Sequence, residues 1–321
     1  MDFTKFTKLS LGLAIALTVA PVSVQAQSDY PTRPVEMSVL FGGTANTIAQ
    51  LLSETMSQQL GSPVVSIART GGGGAIGYSH VQGSRPDGYS VVFNSNSINT
   101  VHHMGMLPFG YDAFVPVAQI SVEVPVMAVN ANSNWTDLTQ MAEAVSAEGR
   151  RINVGISGRG SFTHIASAAL FDAMGISELV NYVSYGEGNA PIELLAGRID
   201  AAVQWPGQIS SYTESGDLVA VGALGTNEIY SLPDVQSAKE QGYDIDISMW
   251  RGIAAPAGTP PEVVAKLEEA ARASVTSEAF INASRNVGFE PAFLPAAEFA
   301  EVIAEDDVFY ADLLTKLGLA Q

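Results

Sequence analysis

Two glycine-rich turns carry the residue types that could bind a small ligand, and each lies between a predicted strand and a predicted helix. The first contains Phe41, Gly42, Gly43, Thr44, Ala45 and Asn46, and the second contains Ser157, Gly158, Arg159, Gly160, Ser161, Thr163 and His164. Glycine lets a backbone approach a ligand closely, and a helix start offers unpaired N–H groups at the positive end of its dipole. We therefore predict that both turns bind an anion, at the strand ends where open α/β sheets bind ligands.

A purely structural interpretation exists for each turn. The first could be an ordinary connection between strand and helix. In the second, Ser161 and Thr163 could do no more than cap a helix. However, two glycines, two hydroxyls and the guanidinium of Arg159 ahead of a helix also satisfy the needs of an anion site. We favour the site over the cap for this second turn.

A third turn, which holds four consecutive glycines, matches the dinucleotide fingerprint G-x-G-x-x-G through Gly72, Gly74 and Gly77. The match has little specificity, because four glycines in a row satisfy it easily. The next predicted strand, residues 89–94, also lacks the acidic residue that would hold a ribose hydroxyl. An oxidoreductase that binds a dinucleotide is therefore the least favoured of the functions considered.

Catalytic and metal-binding patterns are poor. Ser157 fails the G-x-S-x-G elbow at its last position, and the pair Ser161 and His164 is explained by helix capping as well as by a hydrolase. His102 and His103 are adjacent, so they diverge on a regular element. With four His and no Cys, we expect no metal site, no cofactor and no enzymatic activity.

The formal net charge of −18 restricts the partners. Such a field repels nucleic acids and anionic lipid surfaces, so neither is expected to bind. It also repels anionic ligands at long range, so local donors would have to overcome it. The chain has no Cys, and its stability must therefore come from packing.

The first 26 residues have the features of a signal peptide. Lys5 and Lys8 precede an apolar run over residues 9–20, and Val24 and Ala26 give the small-x-small pattern before a cleavage site. We predict cleavage after Ala26, a soluble mature chain that starts at Gln27, and a periplasmic location without membrane insertion. A retained membrane anchor is the less favoured alternative.

The remaining sequence alternates apolar strand patterns with helical ones, which predicts an α/β fold with mostly parallel sheets flanked by helices. The predicted strands are residues 35–41, 63–68, 89–94, 114–120, 125–130, 152–156, 180–184, 201–204, 218–224 and 248–254. Predicted helices follow Asn46, Thr163, Pro261 and Pro295. The length predicts two domains, and the lack of a linker predicts that the chain crosses between them more than once.

Six motifs in register along the chain resemble one protein family. They are Tyr30 to Pro34, Arg69 with the glycines after it, Arg85 to Tyr89, Gly155 to His164, Leu194 to Asp200 and Ala254 to Pro260. In this order they are similar to the substrate-binding proteins of tripartite tricarboxylate transporters, the TctC or Bug family. Between Leu40 and Asn46 the chain departs from the family, because this turn is shorter, lacks the usual prolines and has Asn46 in place of an Asp.

The resemblance implies a two-lobed periplasmic binding protein, a clamshell of type II with its ligand cleft between the lobes. We expect residues 27–126 and 251–321 to form one lobe and residues 127–250 the other. It also implies a small organic carboxylate as ligand, with delivery to the membrane subunits of a transporter. The candidate ligand-binding set also includes Ser95, Asn96, Tyr185 and Gln204.

A ligand trap that captures a di- or tricarboxylate is therefore the favoured function, and we expect it to be a monomer. A periplasmic sensing module that feeds a signalling receptor, and the Ser161/His164 hydrolase, remain as alternatives. Since Asn46 replaces an acidic residue and Arg159 adds a cation, we predict that the ligand is a net anion without an amino group. Asn46→Asp should weaken binding, as should Arg159→Ala if that side chain reaches the cleft. Trp205 and Trp250 are expected in the core rather than stacked on a ligand.

Overall fold

A computed structural model describes residues 30–186, 188–227 and 229–321. The predicted signal peptide and its cleavage site lie outside these residues. The strands are β1 (Val35–Val39), β2 (Val64–Ala68), β3 (Ser90–Ser95), β4 (Phe114–Glu123), β5 (Val126–Asn130), β6 (Ile152–Ile156), β7 (Val180–Ser184), β8 (Ala201–Gln204), β9 (Leu218–Ala223), β10 (Met249–Pro256) and β11 (Glu290–Pro295). The helices are α1 (Gly43–Leu60), α2 (Ala75–Gln82), α3 (Ser97–His103), α4 (Leu138–Glu148), α5 (Phe162–Ala173), α6 (Ala190–Leu195), α7 (Pro206–Glu214), α8 (Pro261–Val275), α9 (Glu278–Val287) and α10 (Ala296–Lys316).

The strands form two sheets, one in the order β11-β4-β10-β3-β1-β2 and the other in the order β7-β6-β8-β5-β9. Parallel pairing joins β2, β1 and β3 in the first sheet and β7, β6 and β8 in the second. The remaining pairs are antiparallel. The α/β class is thus confirmed, but both sheets are mixed, and the prediction of mostly parallel sheets holds only for three strands of each. Strands β5 and β10 explain the difference, because each begins where the chain enters a sheet from the other one.

The ten strands predicted from the sequence are all present, with ends that differ by a few residues at most. Strand β11 was not predicted, because Pro291 and Pro295 argue against a strand. It lies at the edge of the first sheet, where a missing N–H can be tolerated. The pairing of β11 with β4 is interrupted between Pro291 and Leu294.

Helix α1 begins earlier than predicted, at Gly43 rather than after Asn46. Gly42 precedes it in an extended conformation and acts as N-cap without a side-chain hydrogen bond. The residues that the sequence placed in a loop therefore form the first turn of the helix. Thr44 and Ala45 are buried there, so this turn belongs to the packing of the first sheet.

The chain passes from the first sheet to the second through Val124 and Pro125, and it returns before Met249. Helix α10 then makes a further connection. Its last turns pack Tyr310 and Leu314 into the apolar core of the second sheet, and Lys316 Nζ lies 2.8 Å from Asp172 Oδ2. The predicted lobe boundaries at residues 126 and 251 stay a prediction.

No helix among the described residues has both the length and the apolar character needed to cross a membrane.

Candidate functional site

The loop between β6 and α5 is held by its own side chains. Thr163 Oγ1 accepts a hydrogen bond from the Ser157 N–H at 2.9 Å and lies 3.0 Å from Ser161 Oγ. Ser161 is the N-cap of α5, and its hydroxyl accepts from the His164 N–H at 3.4 Å. The capping function that the sequence suggested is therefore present. The loop that it stabilises also lines a cleft.

This cleft has a volume of about 530 Å³ and lies where three strand-to-helix turns meet. Its lining comprises Leu40, Phe41, Gly42, Thr70, Gly71, Gly72, Gly73, Ser157, Gly158, Arg159, Ser161 and Gly186. A smaller inner cavity shares Phe41, Ser157 and Ser161 with it and adds Ser97, Phe162, Thr163, Trp205, Met249 and Arg251. The first and second predicted turns thus contribute to one site, and the third turn joins them.

The turn of four glycines was interpreted from sequence only as a weak nucleotide motif, and its place in the cleft was missed. Gly71, Gly72, Gly73 and Gly74 all have positive φ, between 58° and 120°, which residues with a side chain rarely adopt. A Cβ on Gly73 would lie 2.9 Å from Val101 Cγ1 and 3.8 Å from the carbonyl oxygen of Gly160. The conformation of this turn therefore depends on glycine, and at Gly73 the turn lies against the loop that precedes α5.

Several predicted residues of the first turn lie away from the cleft lining. The residues from Gly43 to Asn46 form the first turn of α1, and the side chains of Thr44 and Ala45 are buried there. Only Phe41 and Gly42 of this turn contribute to the lining. The cause is the early start of α1, which turns the side chains of Thr44 and Ala45 towards the core. The effect predicted for Asn46→Asp stays a prediction.

Ser95 and Asn96 serve the connection between the two sheets. The Asn96 side-chain N–H₂ donates to the Ser248 carbonyl at 3.0 Å and to the Tyr310 hydroxyl at 2.8 Å. The Ser95 hydroxyl accepts from the Ser97 N–H at 3.3 Å. Both side chains are buried, and these contacts place them in the structural core behind the cleft.

Tyr185 and Gln204 also lie outside the cleft lining. Tyr185 is half-buried and packs against the apolar cluster around Leu194, while its carbonyl accepts from the Asn189 side chain at 2.9 Å. Gln204 is buried at the end of β8, directly before Trp205, which does reach the inner cavity.

Among the described residues, the imidazole of His164 makes no hydrogen bond to the Ser161 hydroxyl. Its Nδ1 accepts a hydrogen bond from the Gly160 N–H at 3.2 Å, and its ring packs edge-on against Tyr182, with 4.7 Å between centroids. Burial, together with the smaller effect of the Arg159 charge, lowers the pKa of His164 from 6.5 to about 4. His164 is therefore a neutral structural acceptor that fixes Gly160.

This burial makes stability depend on pH. The His164 imidazole is neutral in the folded state, so its contribution is complete above pH 6.5 and is lost as the pH falls towards 4. We expect a loss of about 2 kcal/mol in the free energy of unfolding at pH 4.5 relative to pH 7. His164→Gln keeps an acceptor but cannot be protonated, so urea denaturation should show a smaller loss for the variant. Equal losses in both proteins would contradict this assignment.

The residues that the sequence did not predict come mainly from the inner cavity. Arg251 is 2% exposed and its Nε donates to Glu123 Oε2, forming a buried ion pair between β10 and β4. Trp205 is stacked on Phe162, with ring centroids 5.4 Å apart. Its indole thus forms a wall of the cavity while it packs in the core.

Trp250 packs in the core and does not line the cleft or its inner cavity. It is buried, and its Nε1 donates to Asp306 Oδ2 at 2.6 Å. Burial raises the pKa of Asp306 to about 6, against the effect of this hydrogen bond. In the described part of the chain no group of three or more His, Asp or Glu side chains could hold a metal ion.

Comparison with known proteins gives a consistent result. The family model described as "Tripartite tricarboxylate transporter family receptor" matches residues 48–319. The Bordetella pertussis protein BugT is 26% identical over 321 residues, which cover 97% of this chain and 98% of BugT. The match therefore extends over both sheets.

Solved structures show the same fold. The periplasmic binding protein BugD is 26% identical with a TM-score of 0.83, over 91% of this chain and 99% of BugD. MatC from Rhodopseudomonas palustris, solved with bound malate, is 24% identical with a TM-score of 0.78, over 89% and 100% of the two chains. An R. palustris protein solved with adipate is 23% identical with a TM-score of 0.82, over 91% and 99%. The two-lobed α/β fold expected from the sequence is thus confirmed.

Proposed function

Because the chain belongs to the TctC family of tripartite tricarboxylate transporter receptors, we propose that it captures a small organic carboxylate in the periplasm. We further propose that it delivers this ligand to the membrane subunits of a transporter of the same type. The observation that carries the proposal is the cleft in which three strand-to-helix turns meet around the loop from Ser157 to Ser161.

The chemistry of this cleft suits a carboxylate. The loop before α5 offers backbone N–H groups, hydroxyls and the start of a helix whose dipole favours negative charge. Arg159 is exposed at the mouth of the cleft and lines it. A guanidinium there can bind a carboxylate with two hydrogen bonds. These local donors would overcome the long-range repulsion from a chain of net charge −18.

The ligand is proposed to be a net anion without an amino group. Among the described residues, no carboxylate side chain belongs to the lining of the cleft or of its inner cavity, so these residues offer an ammonium group no counter-ion. Two of the similar structures hold malate and adipate, both dicarboxylates. Turns from opposite sides of the cleft would bind the two ends of such a molecule.

Capture is proposed to proceed by closure of two lobes, residues 27–126 with 251–321 and residues 127–250. A ligand that contacts both lobes stabilises the arrangement in which Gly73 lies against Gly160. Closure also excludes water, which strengthens each polar contact. The transporter would then recognise the closed, monomeric protein after export and removal of residues 1–26.

The direct test is a thermal-shift screen of the mature chain, starting at Gln27, against a panel of mono-, di- and tricarboxylates. A ligand that binds only the folded state raises the melting temperature with concentration. If no carboxylate does so while an amino acid or sugar does, the proposed ligand class is wrong.

Arg159→Ala provides the matched mutational test. Loss of a charge-assisted contact worth about 1.5–3 kcal/mol should weaken the best ligand of the screen by about 10- to 150-fold in calorimetry. Arg151→Ala is the control, because Arg151 is also exposed but precedes β6, at the far end of the strand from the loop. Equal affinity of the two variants would show that the Arg159 side chain does not contact the ligand.

A further inference from the structure

The buried guanidinium of Arg251 lies at the inner end of the cleft. Its Nε donates to Glu123, and this is its only hydrogen bond within the described residues. The two terminal nitrogens, which carry four of the five guanidinium N–H groups, make none there. Because Arg251 is only 2% exposed and lines the inner cavity, water supplies few partners for these donors.

A second polar group in the same cavity has no hydrogen-bond partner among the described residues. The Ser97 hydroxyl is fully buried and has no hydrogen-bond partner among the described residues, and Ser97 lines the cavity with Arg251. Buried polar groups without partners are rare in proteins and call for an explanation. A buried hydroxyl without a partner and a guanidinium with free N–H groups, on different elements and in one cavity, indicate a receptor for an acceptor group that comes from outside the chain.

The surroundings of these donors restrict the shape of that group. The aromatic rings of Phe41, Phe162 and Trp205, together with Met249, form the apolar part of the lining. The guanidinium carbon of Arg251 lies 5.5 Å from the centre of the Trp205 ring. A ligand that reaches Arg251 must therefore have an apolar segment next to its charged end.

The inner cavity has a volume of only about 10 Å³ in this structure, which is room for about one water molecule. We propose that it widens when the lobes open, and that Arg251 and Ser97 then bind one carboxylate of an elongated dicarboxylate at the inner end of the cleft. The second carboxylate lies at the mouth, where the loop from Ser157 to Ser161 and the guanidinium of Arg159 bind it. The apolar middle of the molecule contacts Phe41 and Trp205. This inference rests on the proposed function and specifies the ligand class, a linear dicarboxylate rather than a monocarboxylate.

Glu123 sets the strength of this inner subsite. Its carboxylate offsets the charge of Arg251, and its Oε1 has no hydrogen-bond partner among the described residues. Replacing Glu123 with Gln keeps the size and an acceptor while it removes the negative charge. An anion at Arg251 should then bind more tightly. If Arg251 were only structural, Glu123→Gln should instead bind the ligand more weakly.

The experiment is calorimetry with the linear dicarboxylates from succinate to suberate and with the monocarboxylates of equal chain length. The natural mature protein should bind its best dicarboxylate at least tenfold more tightly than the matching monocarboxylate. The double variant Arg251→Met, Glu123→Gln removes both partners of the pair, so that neither is left buried with an unpaired charge. It should lose that preference, whereas Glu123→Gln alone should increase it.

The outcomes separate this inference from the proposed function. Failure of every linear dicarboxylate to bind, or an unchanged preference in the folded double variant, overturns the role of Arg251. The proposed function fails only if no carboxylate of the wider panel binds. Should the double variant not fold, weaker dicarboxylate binding by Glu123→Gln relative to the natural protein overturns the inference by itself.

Discussion

Replacing Glu123 with alanine should lower the free energy of unfolding by about 3–5 kcal/mol, because Arg251 would remain buried and charged without its partner. The side chain of Glu123 is fully buried and that of Arg251 is 2% exposed. They belong to the paired strands β4 and β10, which run close to both crossings between the sheets. Burial raises the pKa of Glu123, and the charge of Arg251 opposes that shift.

Urea denaturation at pH 7 without ligand measures this loss. Glu193→Ala is the matched control, because it removes an ion pair with Arg198, whose side chain is 58% exposed to solvent, and pairs that solvent reaches contribute little. The double variant Arg251→Met, Glu123→Gln should be closer in stability to the natural protein than Glu123→Ala is. If Glu123→Ala and Glu193→Ala cost the same, the buried pair does not stabilise the junction of the sheets.

The sequence predicted the strands well because each is a short apolar run that is bounded by turn residues. Strand β10 and the parallel strands β1 and β6 are buried along most of their length, so their hydrophobic pattern is strong. The direction of pairing was harder to predict. It depends on which sheet the chain enters after each crossing, and no local pattern encodes that choice.

The site was predictable where a local signal existed. The loop from Ser157 to His164 shows its glycines, hydroxyls and helix cap within eight residues, and it does line the cleft. Arg251 and Glu123 are 128 residues apart, and each lies in an apolar strand where sequence alone suggests only core packing. Their importance depends on the pairing of β10 with β4, which only the fold reveals.

A backbone contact between helices α7 and α9 connects the two halves of the molecule. Helix α7 packs against β9 of the second sheet, whereas α9 packs against β11 of the first. A Cβ on Gly207 would lie 1.7 Å from the Val287 carbonyl oxygen, and a Cβ on Gly288 would lie 2.7 Å from the Gly207 Cα. The contact therefore requires the absence of a side chain at both positions.

Gly207→Ala should disfavour the arrangement of the two sheets in which the cleft is narrow. The obstacle is a backbone oxygen, which cannot turn away as a side chain can, so the cost should lie near the upper end for overpacking, about 3 kcal/mol. If ligand binding needs this arrangement, the best carboxylate should bind about 150-fold more weakly in calorimetry. Gly83→Ala is the control, since Gly83 ends α2 with a φ of −77° and a Cβ there would lie no closer than 3.3 Å to its neighbours. Unchanged affinity in Gly207→Ala, with the variant folded, would show that the contact between α7 and α9 can open without affecting the cleft.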